Sequence, residues 1–314
     1  MNQEQESLYV SRTDLAVEIQ EELREHTPLD GILVRTKVDR QKGIKETVIT
    51  VENEKGEKAL LKPKGTYITI EGEDLSSSDE SYHKTMCHAL FCHLKKLLKG
   101  YEHILVAGLG NQEVTPDALG PYVVSNLAIT RHLKKENLLE QGVTLSAISP
   151  GVMAQTGMET GEIIKALVKE IHPDVIVAVD ALAARSSERL NKTIQISDTG
   201  ISPGSGVGNH RKEITKKTMG VKVIAVGVPT VIAVPTIVND ALEMLLQALG
   251  ESRLQNSYEE FTEQEKFQLA REILAPDLAD MYVTPKNIDE GVKKISYTIS
   301  EAFNKLVGLD QIQA

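Results

Sequence analysis

The 314-residue sequence lacks the segments that direct a chain to a membrane or to nucleic acid. Its N-terminus is polar, with no apolar signal segment. It holds only two cysteines, Cys87 and Cys92, which fall in one predicted helix. Both features fit a reducing, cytoplasmic compartment. No long basic run is present, and a net charge of −10 with an isoelectric point of about 5.4 disfavours electrostatic capture of nucleic acid or of an anionic membrane. The most apolar run, VKVIAVGVPTVIAVPTIV from Val221, is interrupted by Lys222, Pro229 and Pro235. A membrane span needs about 20 largely uninterrupted apolar residues, so this run is expected to form a buried strand, a loop and a helix start.

What the sequence does contain is alternation. ILVRTKV (32–38), TVITVE (47–52) and TYITIEG (66–72) predict strands joined by charged turns, RQKGIKE and ENEKGEK. The polar segment LSSSDESYH leads into a helix marked by Tyr82, Met86, Leu90 and Leu94. Then short apolar strands alternate with amphipathic helices: HILVAGLG, a helix from about Pro116, VTLSAISPG, a helix from about Glu159, DVIVAVDALA, VKVIAVGVP, and a helix from Pro235 to Leu249. This pattern describes an α/β fold, a mainly parallel sheet sandwiched by helices, with an additional small β region near the N-terminus. Residues 251–288 read as a polar helical insertion, and a helix from Ile288 to Val307 closes the chain. The length allows one large domain or two ordinary ones, since domains typically run to about 100–200 residues.

Ligands of such folds bind beyond the carboxyl ends of the strands. Those positions hold LGNQEVTPDALGP after ILVAG, PGVMAQTGMET after SAIS, Asp180 after VIVAV, and DTGISPGSGVGNHR at 198–211, where Gly200, Pro203, Gly204, Gly206 and Gly208 make a segment too long for a simple turn. Two carboxylates stand out there, Asp117 and Asp180. Asp117 follows Pro116 at a predicted helix start, where an N-cap is the ordinary role. Asp180 ends a run of Val, Ile and Ala, where a buried charge is costly unless it is paired or used. A close carboxylate pair keeps one proton while the other member acts as a base toward water, which is hydrolase chemistry. Glycine amides of the 198–208 loop, Asp198 included in it, are the expected oxyanion or substrate-binding groups.

Other motif matches carry less. Asp198-Thr199-Gly200 is the triplet of pepsin-like proteases, but it opens a glycine-rich loop in an α/β chain. GLGNQEV misses the third glycine of the dinucleotide fingerprint, and SGVGNHRK is not a Walker sequence. Among Cys87, His88, Cys92 and His93 only His88 and Cys92 have the i, i+4 spacing that shares a helix face, so core or boundary roles are expected rather than a metal site.

In SRTDLAVEIQEEL (11–23), Leu15, Ile19 and Leu23 recur every four residues while Glu18, Gln20, Glu21 and Glu22 fall mostly elsewhere. This predicts an amphipathic surface helix capped by Asp14, with Thr13 able to do the same job.

Together RTDLAVE, GLGNQEVTPDALGP, SPGVMAQTGMETGEII, DVIVAVDALAARS and DTGISPGSGVGNHRKEI resemble the germination proteases of spore-forming bacteria, over residues 8 to about 250. The resemblance implies an endopeptidase that starts degradation of small acid-soluble spore proteins in the spore core when germination begins. It implies a homotetramer and a fold similar to that of the hydrogenase maturation proteases, a phosphorylase-like αβα sandwich. The family's members are zymogens that remove an N-terminal segment at sites with an acidic residue, an apolar residue and Ala. Here Asp14-Leu15-Ala16 fits, so residues 1–14 are expected to be a propeptide cut between Asp14 and Leu15, and 15–314 a single catalytic domain; a chain beginning at Met1 is then expected to be the uncut form. The family's proposed catalytic aspartates fall on Asp117 and Asp180. In the maturation proteases the equivalent carboxylates act with a His on a metal held by the substrate. No such His can be assigned here, His210 being the nearest candidate, so a metal-free, cofactor-free mechanism is expected. The alternatives are a metal-sensing maturation-type endopeptidase and a non-catalytic binding protein on the same fold.

Overall fold

The structure, a computed structural model, describes residues 13–24, 30–72, 80–136, 142–204, 211–249, 258, 261 and 263–308. Among the described residues nine strands form one mixed sheet: β1 (Ile32–Asp39), β2 (Ile44–Val51), β3 (Gly65–Glu71), β4 (His103–Gly108), β5 (Thr144–Ile148), β6 (Val175–Ala184), β7 (Thr193–Ser197), β8 (Lys222–Ala233) and β9 (Tyr282–Val283). Their order is β1-β2-β3-β7-β8-β6-β4-β5, with β9 paired to the end of β8. The expected parallel sheet is β5-β4-β6-β8. The β region near the N-terminus, β1-β2-β3, is continuous with it: β3 pairs antiparallel with β7 and β7 with β8.

β6 shows how the sequence builds the layers. Side chains alternate across a strand, so VIVAVDALAA serves both faces of the sheet. Val175, Val177 and Val179 pack with Met86, Leu90 and Leu94 of the Glu80–Leu97 helix and with Ile295 and Ile299 of the Ile288–Leu306 helix. On the opposite face Ile176 and Ala178 lie with Ile164 and Val168 of the Thr160–Ile171 helix. Further along that face Leu182 and Ala184 pack against Leu15, Ala16, Val17 and Ile19. Asp180 is the residue of the same alternation that falls between these two clusters and belongs to neither.

Several local expectations are corrected. The run from Val221 contains no loop: β8 continues through Pro229, accommodated by a register shift opposite Leu182 and Ala183 that leaves Thr230 as the extra residue. The charged turn after β2 is a short helix, Glu54–Leu60, capped by Asn53. Asp180 lies inside β6 and not at its end, and the segment before the glycine-rich loop is a strand, β7, not among those expected from the sequence. Of residues 251–288, the described part has helices Glu263–Ile273 and Pro276–Ala279 and then β9, so it rejoins the sheet. No helix among the described residues is long and apolar enough to cross a membrane.

The N-terminal helix, Ala16–Arg24, is not a surface helix. Glu18 and Gln20 are buried along with the apolar stripe. The Glu18 carboxylate accepts from the amides of Arg185 (2.8 Å) and Ser186 (2.9 Å), just past the end of β6, and from the Thr13 hydroxyl. Arg189 clasps the same helix, reaching Glu21 at 2.7 Å, Glu71 at 3.1 Å and Glu18 at 3.6 Å. Asp14 is not the cap either; the Thr13 hydroxyl accepts from the Leu15 amide at 3.0 Å.

Candidate active site

Asp180 is 5% exposed and accepts from the Ala181 amide at 3.0 Å. Its neighbour across the ladder is Gly227 of β8. Burial pushes its carboxyl well above the ordinary value, and the charges of Asp117 and Asp14 push the same way, against the Ala181 amide and Arg211.

Asp117 reaches the same place from β4. The strand's exit is fixed by the Leu109 amide, which donates to the Val179 carbonyl at 2.8 Å, one residue before Asp180. A 3-10 turn, Thr115–Asp117, then precedes the Leu119–Ser125 helix, whose cap residue is Ala118. Asp117 is therefore not the cap of that helix: its carboxylate turns back across the loop to accept from the Asn111 amide at 2.7 Å. Two glycines permit the approach. A Cβ on Gly110, at φ +108°, would lie 2.0 Å from the Asp117 carbonyl oxygen, and one on Gly120 would lie 2.3 Å from that of Leu109 and 2.6 Å from that of Val179. The glycines of this motif thus pack backbone on backbone. The Thr230 hydroxyl of the β8 bulge donates to the Pro116 carbonyl at 2.7 Å and ties the turn to the sheet. Burial raises the Asp117 carboxyl, opposed by the Asn111 amide and Arg211.

The third carboxylate is Asp14. β4 pairs with β6 only as far as Val179, and beyond it Asp14 takes up Ala183: the Asp14 amide donates to the Ala183 carbonyl at 3.0 Å, and the Ala183 amide donates to the Asp14 carboxylate at 2.9 Å. Leu15 and Ala16 are fully buried. The Asp14 carbonyl accepts from Gln195 Nε2 at 2.9 Å and from Lys62 Nζ at 3.3 Å, and Gln195 Oε1 accepts from the Ala16 amide at 2.7 Å. Burial lowers the Lys62 ammonium, with the Asp14 charge acting in the other direction. A cleft of about 630 Å³ opens beside these groups, lined by Asp14, Lys62, Tyr67, Gln195, Thr199 and Glu213 among others.

Gln195 and Lys62 were missed in the sequence. Gln195 left one signal, a long polar side chain between the two isoleucines of the strand TIQIS. Lys62 left none, since it lies in a charged stretch where a lysine is ordinary.

Asp198 stands apart from the carboxylate cluster. It accepts from the Thr66 amide at 2.8 Å, and Lys222 Nζ lies 3.5 Å from its carboxylate and donates to its carbonyl at 2.7 Å, so it fastens β7 to β3 and β8. Gly200 accepts from the Ser197 hydroxyl at 3.1 Å and precedes the Ile201–Ile214 bridge; Gly204 follows in a turn. Gly206, Gly208 and His210 lie outside the described residues. The residues weighed as metal ligands do not converge: His88 Nε2 is 3.5 Å from Cys92 Sγ, His93 pairs with Glu46 at 2.6 Å, and Cys87 is buried. Among the described residues no three His, Cys, Asp or Glu side chains form a group able to hold a metal ion.

A sequence model described as germination protease matches residues 9–260. Germination proteases of Caldanaerobacter subterraneus subsp. tengcongensis, Clostridium perfringens (strain SM101) and Priestia megaterium are 46%, 43% and 37% identical to this chain. The alignments cover 93%, 95% and 95% of this chain and 93%, 95% and 94% of the relatives. Among solved structures, the [NiFe] hydrogenase maturation protease HycI from Thermococcus kodakarensis KOD1 overlaps 44% of this chain and 80% of its own, with 19% identity and a TM-score of 0.29. With a family match over most of its length and three full-length relatives above a third identical, this chain belongs to the germination protease family.

Proposed function

We propose that this peptidase is a zymogen of aspartic type that trims its own N-terminus between Asp14 and Leu15 and then initiates degradation of small acid-soluble spore proteins. Asp117 and Asp180 are its catalytic pair, it works as a homotetramer in the spore core, residues 1–14 are the propeptide, and 15–314 form one catalytic domain. The observation that carries the reading is the seat of Asp14: the acid of an acid-apolar-Ala sequence is bonded to β6 three residues beyond Asp180, close enough that its charge raises the Asp180 carboxyl.

The electrostatics support a division of roles within the pair. Asp180, the more buried and the one pushed up by both other carboxylates, holds the proton. Asp117, raised by burial but not by another carboxylate and eased toward its charged form by the Asn111 amide and Arg211, is the base. Asp117 takes a proton from water, whose oxygen bonds to the Asp14 carbonyl carbon. Asp180 gives its proton to the Leu15 nitrogen as the C–N bond breaks, leaving a carboxylic acid on Asp14 and an amine on Leu15, with Asp117 protonated and Asp180 ionised; the new acid then returns its proton to Asp180. The bond cut lies ahead of the helix, which starts at Ala16, so the helix need not unwind first.

The test is cleavage of a purified spore protein, and self-trimming, by Asp117→Asn and Asp180→Asn chains. Both activities are lost in both variants if the pair is catalytic; near-native turnover by either variant refutes it.

A further inference from the structure

We propose that Gln195 and Lys62 are the catalytic oxyanion-binding residues of the self-cleavage reaction, with Gln195 also clamping the far side of the bond that is cut. The inference rests on the reading of Asp14–Leu15 as that bond. It replaces the expectation that amides of the 198–208 loop supply the oxyanion site.

The geometry is specific to one peptide. Gln195 presents both ends of its amide to it: Nε2 donates to the Asp14 carbonyl at 2.9 Å, and Oε1 accepts from the Ala16 amide at 2.7 Å. A primary amide is the side chain that offers a donor and an acceptor side by side, and this pair fixes the chain on both sides of Leu15. Lys62 adds a cation to the same carbonyl at 3.3 Å. A carbonyl oxygen with two side-chain donors, one of them charged, is polarised already, and both bonds strengthen as charge gathers on that oxygen when water adds.

The surroundings favour this use over simple anchoring. Gln195 is 9% exposed in the middle of β7, so its amide is held by the sheet and needs no reorganisation as the reaction proceeds. Lys62 follows the left-handed Leu61 that ends the Glu54–Leu60 helix, a turn that projects it over the cleft instead of into solvent. Bringing an ammonium out of water to meet a neutral carbonyl costs free energy that a structural tether does not require. Asp14, held by Ala183, supplies the counter-charge.

The inference is tested on the full chain by the first-order rate at which a product beginning at Leu15 accumulates, followed by mass spectrometry at mildly acid pH. Gln195→Glu keeps the shape and the acceptor but loses the donor; Lys62→Met loses the cation, and Lys62→Arg restores one. The expected result is a rate per folded molecule lower by on the order of 100-fold in Gln195→Glu and at least ~10-fold in Lys62→Met, with much of the loss recovered in Lys62→Arg. If Gln195→Glu does not fold, the two Lys62 variants decide. Rates within about threefold of native in the folded variants, while Asp180→Asn is inert, overturn the oxyanion assignment and leave the aspartate pair standing. Native-rate trimming by Asp180→Asn overturns the aspartate reading itself.

Discussion

Asp14 engages both backbone groups of Ala183: its amide donates to the Ala183 carbonyl at 3.0 Å, and its carboxylate accepts from the Ala183 amide at 2.9 Å. This contact sets the acid of the N-terminal segment beside the strand that carries Asp180. It joins two features that are far apart in sequence, the acid-apolar-Ala triplet and the buried carboxylate, into one electrostatic unit.

Asp180 carries a stability cost that follows pH. Its native pKa lies above the ordinary 3.8, so the folded chain holds the proton more tightly than the unfolded chain. The contribution is fully present below the unfolded value and is lost as pH rises through the native one. Asp180→Asn is therefore expected to unfold at higher urea than the native chain at about pH 8, with the gap closing toward about pH 4. An equal or lower midpoint for the variant at the higher pH contradicts the burial argument.

Asp198 is expected to matter for the fold and not for the chemistry. Asp198→Ala leaves the Thr66 amide without its acceptor and Lys222 without its carboxylate, a loss of about 1–3 kcal/mol by chemical denaturation. Catalysis per folded molecule is retained. Loss of turnover without loss of stability restores the pepsin-like triplet as a candidate.

Gly120→Ala tests how Asp117 is positioned. The added methyl meets the Leu109 and Val179 carbonyls, so the turn and its helix must move away from β4 and β6, at about 1–3 kcal/mol. Turnover is expected to fall more than stability accounts for, because both the Leu109–Val179 bond and the Asp117 carboxylate shift with the turn. Unchanged turnover in the folded variant argues against a requirement for close placement.

Arg189 holds the N-terminal helix through Glu18 and Glu21 and ties it to Glu71 at the end of β3. Arg189→Met leaves a buried Glu18 without its cation, a loss of about 3 kcal/mol. Hydrogen exchange is expected to rise over residues 13–24 before the rest of the sheet responds. Protection unchanged there shows that the apolar contacts of Leu15, Val17 and Ile19 suffice.

How much of this could be read in the sequence depended on the range of the interaction. Asp180 was legible because it is a charge inside VIVAVDALAA, and Asp117 because it closes a loop after a strand. The parallel sheet followed from the alternation of apolar strands and amphipathic helices. The N-terminal helix misled because its four-residue spacing is the mark of an amphipathic surface, while Glu18 is bought into the interior by amides of Arg185 and Ser186, more than 160 positions away. Pro229 misled because proline usually ends a strand; here a bulge absorbs it. Gln195 and Lys62 act through contacts at separations of 181 and 48 residues, which no local pattern encodes.

The most direct test of the account is the N-terminal residue of the species formed by the native, Asp117→Asn and Asp180→Asn chains, each held at mildly acid pH and measured by intact mass and N-terminal sequencing. The account predicts a native product beginning at Leu15 and uncut chains for both variants. A native product beginning elsewhere, or a Leu15 product from either variant at the native rate, contradicts it.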